Sequence, residues 1–286
     1  SCPHKTSEVP PWKRDSDRQG LVRALMAGDP TLLLRETAGV ATSSSVSAFP
    51  AASVDALSLR TQAPPEFISR VFVCIDPNGG GSSAMAVCSG CFDRSGKQLT
   101  LLGADQFVVS SDSELERALG AHIESLRDGF GLHTTGFVTI VEANYGGWVM
   151  ASRMATICNR HPPMKHMTQD TNRLRRPGVF TTADVKERMR LSLAHLLRSE
   201  LVQFASGFRS QSPGTRAELC NQLRRYEYRT RDTPDHFGVV KRFLSGKSAC
   251  ANDDLAIACQ MLAFWSTYSL EIGGEGCLVD LDARRK

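Results

Sequence analysis

The chain has 286 residues, 41% hydrophobic and 22% charged, a balance that supports a sizeable core and argues against disorder along most of its length. No apolar run approaches the roughly 18 residues of a membrane span, no N-terminal stretch has the pattern of a secretory signal, and nine scattered cysteines point to an intracellular, reducing setting. The net charge of +4 is unevenly spread: residues 151–250 carry 19 Lys and Arg against 8 Asp and Glu, the remainder 15 against 22. A basic region beside an acidic remainder suits a polyanion held near a carboxylate-bearing site, and a solvated helical face is the plainer alternative.

Residues 1–68 read as an extended linker, punctuated by Pro3, Pro10 and Pro11, with one short helix near Gln19–Ala27. The chain opens at Ser1 rather than Met, as expected of a fragment or a processed chain. The compact domain is expected over residues 69–272, with residues 273–286 as a tail. Val71–Ile75 is a β-branched, aromatic run stopped at Asp76-Pro77, and Gly79-Gly80-Gly81 makes an open turn. Ala84–Cys91 and Gln98–Val108 read as the second and third strands. Ser110–Arg127 has helical spacing, with Leu115, Leu119, Ile123 and Leu126 on one face. Phe137–Val141 is a strand ending at Glu142, and Tyr145–Arg160 a helix. Thr181 or Thr182 caps a helix over Ala183–Ser199, followed by a short strand over Glu200–Phe204. Ala217–Tyr226 and Asp253–Leu270 complete the helices, the last capped by Asn252. This order predicts an α/β domain with a mixed central sheet flanked by helices on both faces.

Asp76 and Glu142 each close a predicted strand, and Asp253 and Asp254 open a helix. Carboxylates converging at one sheet edge repel one another unless a cation lies between them. Mg²⁺ prefers such oxygens, and two ions about 3.5–4 Å apart activate water and stabilise the leaving oxygen of a phosphodiester. Asp and Glu also end strands and begin helices for purely structural reasons.

Three segments carry a resemblance. VFVCIDPNGGG at residues 71–81, VTIVEANYGG at 138–147 and GKSACANDDLAIA at 246–258 resemble the three acidic motifs of the nuclease domain of viral terminase large subunits, most nearly the herpesvirus type. Upstream, DPTLLLRETAGVA at 29–41 resembles the segment joining the ATPase half of those motors to the nuclease. The resemblance spans about Ser69–Leu270. It implies a ribonuclease H-like fold, two Mg²⁺ or Mn²⁺ ions, and cutting of concatemeric viral double-stranded DNA during packaging with little sequence preference. It also implies the terminase ATPase domain, other packaging subunits and the portal as partners, and the host nucleus as location.

Carried over by position, Asp76 would bridge both ions, Glu142 would bind one and Asp253 would help hold the other. Asp254 would bind metal or orient Asp253 or Lys247. Lys186 would reach the scissile phosphate or lie exposed on its helix. Arg173, Arg175, Arg176, Arg188, Arg190, Arg224, Arg225, Arg229, Arg231, Lys241 and Arg242 are candidates to track the DNA backbone.

Other signals are weaker. Ser245-Gly246-Lys247-Ser248 lacks the glycine that a phosphate-binding loop needs at position 241, which is Lys, so ATP hydrolysis is not expected. Cys88 and Cys91 form a lone CxxC with no second pair, and strand placement makes Cys88 a core residue. No Gly-x-Ser-x-Gly elbow or HExxH is present. Tyr145 and Trp148 could touch DNA but suit packing at a helix start. The rival readings are a Holliday-junction resolvase or transposase-like recombinase, and a non-catalytic DNA- or partner-binding module.

Overall fold

The computed structural model describes residues 46–77, 84–93, 95, 97–144, 146–161, 164–169, 176–230, 242–245, 252–271 and 278–280. The chain divides into residues 47–227 with 243–286, and a smaller unit of residues 1–46 with 228–242. Of the smaller unit only short strand segments at 46, 228–230 and 242 are described. The predicted helix near Gln19–Ala27, Gly79–Gly81 and residues 273–277 and 281–286 of the tail lie outside the described residues.

The larger unit is built on an eight-stranded sheet. Its strands are β2 (Thr61–Gln62), β3 (Arg70–Asp76), β4 (Met85–Asp93), β5 (Gln98–Phe107), β6 (Gly136–Val141), β7 (Met164–Met167), β8 (Val202–Arg209) and β11 (Leu278–Asp280), in the order β11-β7-β6-β3-β4-β5-β8-β2. The numbers β1, β9 and β10 belong to Val46–Ser47, Glu227–Thr230 and Arg242–Ser245. β3, β4 and β5 form an antiparallel meander, β6 pairs parallel to β3, and β7 parallel to β6. A strand that must run parallel to its predecessor needs a crossover. Helices α2 (Asp112–Gly129) and α3 (Gly147–Cys158) supply these crossovers.

Strand pleat sorts the core. Val71, Val73 and Ile75 of β3 pack on one side with Leu119, Ile123 and Leu126 of α2 and with Met154 and Cys158 of α3. Phe72 and Cys74 point to the other side, to α1 (Ala51–Leu59), α4 (Ala183–Arg198), α5 (Thr215–Arg225) and α6 (Asp254–Glu271). The fold is therefore a mixed sheet between two helical layers, as the element order predicts. α6 is buried through Leu255, Ala256, Ala258, Cys259, Met261, Leu262 and Ala263, and lies close on the sheet. A Cβ on Gly90 of β4 would sit 3.0 Å from the Leu262 side chain and 2.5 Å from the Thr100 carbonyl oxygen.

The sequence reading differs from the structure in several places. Residues 51–62, read as linker, form α1 and β2. Phe49, Val54 and Leu57 are buried and β2 pairs parallel to β8, so the domain begins well before Ser69. The expected strand Glu200–Phe204 is Val202–Arg209, because Glu200 adopts a left-handed φ of 60° and turns the chain out of α4. α6 is entered through Asp253 rather than Asn252: its first helical bond runs from Ile257 N–H to the Asp253 carbonyl at 3.0 Å. β7 and β11 were not anticipated. Cys88 is core, as expected, and Cys91 lies in the opposite core layer, so the CxxC does not converge.

A buried polar relay runs between the sheet and α2. Ser89 Oγ lies 2.8 Å from His122 Nε2, and His122 Nδ1 lies 2.7 Å from Asp105 Oδ2. The second Asp105 oxygen accepts from Ser210 Oγ at 2.9 Å and the Gln211 amide at 2.6 Å. Ser89 and His122 are wholly buried, so this triad ties β4, β5, α2 and the turn before α5 together and offers no exposed nucleophile.

Candidate functional site

β3 and β6 run side by side, with Ile75 opposite Val141. The next residue on each strand is acidic. The Glu142 amide donates to the Ile75 carbonyl at 3.0 Å, which seats Glu142 beside Asp76. By the pleat, Asp76 continues the Phe72, Cys74 face and Glu142 the Val138, Ile140 face, so both carboxylates project toward α6. Asp76 is opposite Ala86 of β4, and Ala86 is opposite Gln106 of β5. Glu142, Asp76, Ala86 and Gln106 thus form one row across four strands, and the small Ala86 lies in the middle of it.

The acidic start of α6 lies over this row. Gln106 Nε2 donates to Asp254 Oδ2 at 3.3 Å. Asp76, Glu142, Asp253 and Asp254 are all buried. Burial pushes the Asp76 carboxyl well above the usual carboxylate range, and the Glu142 charge, a hydrogen bond shared with Glu142 and the Asp254 charge push the same way. Lys186, in the first turn of α4, pulls it back down. The Tyr226 phenol is also pushed up, first by burial and then by the charge of Asp253, with Asp76 and Glu142 contributing.

Glu142 is framed by a segment that enters from β7. Parallel bridges join Thr168 to Gly178 and Glu142 to Val179. Gly178 is at φ 124°, and a Cβ there would meet the Ala151 Cβ at 2.7 Å. The Ala143 amide donates to the Val179 carbonyl at 2.7 Å. Two residues on, the Thr181 hydroxyl donates to Glu142 Oε1. Asn144 fixes Thr181 from both sides, donating to its carbonyl at 2.8 Å and accepting from its amide at 2.9 Å. Thr182 is the α4 cap, its side chain accepting from the Val185 amide at 3.3 Å. Of the two threonines that the sequence offers as a cap, one caps and the other serves Glu142.

The sequence candidates therefore separate. Asp76, Glu142, Asp254 and Lys186 are brought together, and Asp253 adjoins them. Lys247, Arg173, Arg175, Arg231, Lys241 and Tyr145 lie outside the described residues, and Arg229 and Arg242 are described in backbone only. Arg176 lies 5.6 Å from the Trp148 ring, which itself packs edge-on against Phe180. Arg188 is exposed over Phe264. Arg224 is exposed and paired with Asp55, and Arg225 is exposed. Arg190 is buried against Glu187 and the Ala48 carbonyl, which makes it structural. Sequence reasoning missed Thr181, Asn144, Gln106, Gln222 and Tyr226. Gln106 had a visible signal, since counting by two from Ala104 puts it on the site face.

Among the described residues no three His, Cys, Asp or Glu side chains are grouped so as to hold a metal ion. The donor set nevertheless suits a hard divalent cation. Asp76 and Glu142 end adjacent parallel strands, and the charges of Glu142 and Asp254 both raise the Asp76 pKa. All of these donors are carboxylate oxygens, the ligand type that Mg²⁺ and Mn²⁺ take.

No family model matches the chain, and no curated protein sequence does. The structure is similar to the human cytomegalovirus terminase nuclease domain, at 18% identity and a TM-score of 0.57, over 81% of this chain and 99% of that one. The same domain soaked with manganese matches at 16% identity and a TM-score of 0.59, with the same coverage. Its manganese-soaked, inhibitor-bound form matches at 15% and 0.60, again over 81% and 99%. This chain shares the fold of those domains, a ribonuclease H-like mixed sheet between helical layers.

Proposed function

We propose that this domain is a divalent-metal-dependent endonuclease that cuts concatemeric viral double-stranded DNA during genome packaging. The observation that carries the reading is the Asp76–Glu142 pair, buried at the ends of two adjacent parallel strands and facing the acidic start of α6. The likeness to a terminase nuclease domain solved with manganese supports it. Asp76, Glu142, Asp253 and Asp254 would be the residues that hold Mg²⁺ or Mn²⁺. Bound cations would supply Lewis acidity toward the phosphodiester and the attacking water.

The chain's own residues do the rest. Thr181 and Asn144 hold Glu142 in one rotamer. Lys186 keeps a positive charge beside Asp76, where a phosphate oxygen would approach. Arg176, Arg188 and Arg225 supply cationic contacts to the DNA backbone, which carry affinity but little sequence information. Cutting is therefore largely sequence-independent, with timing set by the ATPase domain and other packaging subunits. No helix among the described residues is long and apolar enough to cross a membrane.

The test is cleavage of supercoiled plasmid with Mg²⁺ or Mn²⁺, comparing wild type, Asp76→Ala and wild type in EDTA, beside thermal shift with Mn²⁺. Nicking and linearisation by wild type alone supports the proposal. No cleavage together with no Mn²⁺ shift rejects it in favour of a binding module.

A further inference from the structure

A helix that begins at Asp254 leaves its first amides without helical partners, and an N-cap Asp ordinarily uses its own carboxylate to bond those of the second and third residues. Here another helix reaches both. Gln222, on α5 and wholly buried, accepts through Oε1 from the Leu255 amide at 2.9 Å and the Ala256 amide at 3.3 Å. The start of α6 is thus fixed from α5.

The same side chain orients a second one. Backbone amides only donate, so the Gln222 oxygen must face α6 and its NH₂ must face away. That NH₂ donates to Gln106 Oε1 at 3.4 Å and to Glu218 Oε1 at 3.1 Å. With its oxygen committed to Gln222, Gln106 can present only its NH₂ to Asp254, and it does so at 3.3 Å. The order of donors is forced along the whole relay, from the α6 amides through Gln222 and Gln106 to the Asp254 carboxylate.

We infer that Gln222 and Gln106 are positioning residues for the acidic start of α6: Gln222 caps the helix from outside, and Gln106 holds the Asp254 carboxylate toward the Asp76–Glu142 pair for cation binding. Neither touches substrate. The inference rests on the metal-dependent reading above and adds to it two residues from α5 and β5 that no acidic motif contains. Outer partners that orient metal ligands commonly change metal affinity about 10–100-fold when removed.

The experiment uses the full chain with Gln222→Met and Gln106→Met, which keep side-chain length and remove the amide. Two readouts are taken: the Mn²⁺ concentration at half-maximal thermal shift, and hydrogen exchange of the peptide spanning residues 253–257. Gln222→Met is expected to speed exchange at Leu255 and Ala256 and to raise the Mn²⁺ midpoint about tenfold or more. Gln106→Met is expected to raise the midpoint by a similar factor while leaving exchange near wild type. Variants that melt earlier but keep the wild-type Mn²⁺ midpoint would show a merely structural role and overturn the inference alone. A wild type that does not respond to Mn²⁺ overturns the proposed function and this inference with it.

Discussion

Removing one negative charge from the paired carboxylates should strengthen the metal-free protein while abolishing its response to cations. In Asp76→Asn the side chain keeps its shape and can still donate to Glu142, but the charge that burial, Glu142 and Asp254 all oppose is gone. Two unit charges 4 Å apart repel by about 4 kcal/mol at an effective dielectric near 20. The attraction of Lys186 and proton uptake by the raised Asp76 carboxyl offset much of that, which leaves a gain of about 1–3 kcal/mol at neutral pH. For a chain of this size each kcal/mol is about 2–4 °C of melting temperature, so a rise of roughly 2–12 °C is expected in EDTA. The pH sign follows from linkage. A carboxyl whose folded pKa is raised binds more protons folded than unfolded, so its contribution is present below the unfolded value near 4 and is lost as pH rises through the folded pKa. The advantage of the variant should vanish near pH 4 and widen upward. A cation at 100 times its Kd adds about 2.7 kcal/mol to wild type, and Asp76→Asn should lose most of it. Differential scanning fluorimetry from pH 4 to 8, with EDTA or Mn²⁺, measures both effects. A variant less stable than wild type across that range, or one that keeps the full Mn²⁺ shift, refutes the reasoning.

Two further substitutions test the frame around Glu142. Thr181→Val removes the hydroxyl that donates to Glu142 Oε1. It should lower unfolding free energy by about 1–3 kcal/mol, read by chemical denaturation, and weaken Mn²⁺ binding in a thermal-shift titration. Gly178→Ala places a Cβ at φ 124° and 2.7 Å from the Ala151 Cβ. Strain and crowding together should cost about 2–4 kcal/mol, and the loss should exceed that of Gly131→Ala, which meets nothing within 4 Å at φ 64°.

What the sequence disclosed follows from the range of each signal. The meander, the crossover helices and the strand-end acids are written in local periodicity and in abrupt stops, so Asp76 and Glu142 could be named and α2, α4 and α6 bounded to within a few residues. α1 escaped because its sequence, AASVDALSL, carries little amphipathic contrast: Val54 and Leu57 are buried, while Leu59 is exposed. β7 escaped because four residues give too little alternation, and β11 because its partner lies over a hundred residues away in the chain. The glutamine relay is invisible for another reason. Gln222 sits between Leu219 and Leu223 on α5, where spacing predicts only burial, and its partners are set by how α5, β5 and α6 meet.

These two kinds of residue divide the work at the site. The acids are where sheet geometry puts them, and Asp76 is buried beside Glu142 with its carboxyl driven toward the neutral form. An arrangement of this kind persists only if its surroundings allow no relaxation. Here relaxation is blocked on each side. Ala86 and the β3–β6 register fix the floor, Thr181 and Asn144 fix Glu142, and Gln222 and Gln106 fix the entry to α6. Substitutions in the neutral frame should therefore lower stability and cation affinity together, whereas loss of the Asp76 charge should drive the two in opposite directions. That contrast separates a site held under repulsion for a cation from carboxylates that merely end strands, because terminal acids without a ligand would lose nothing else when the repulsion was removed.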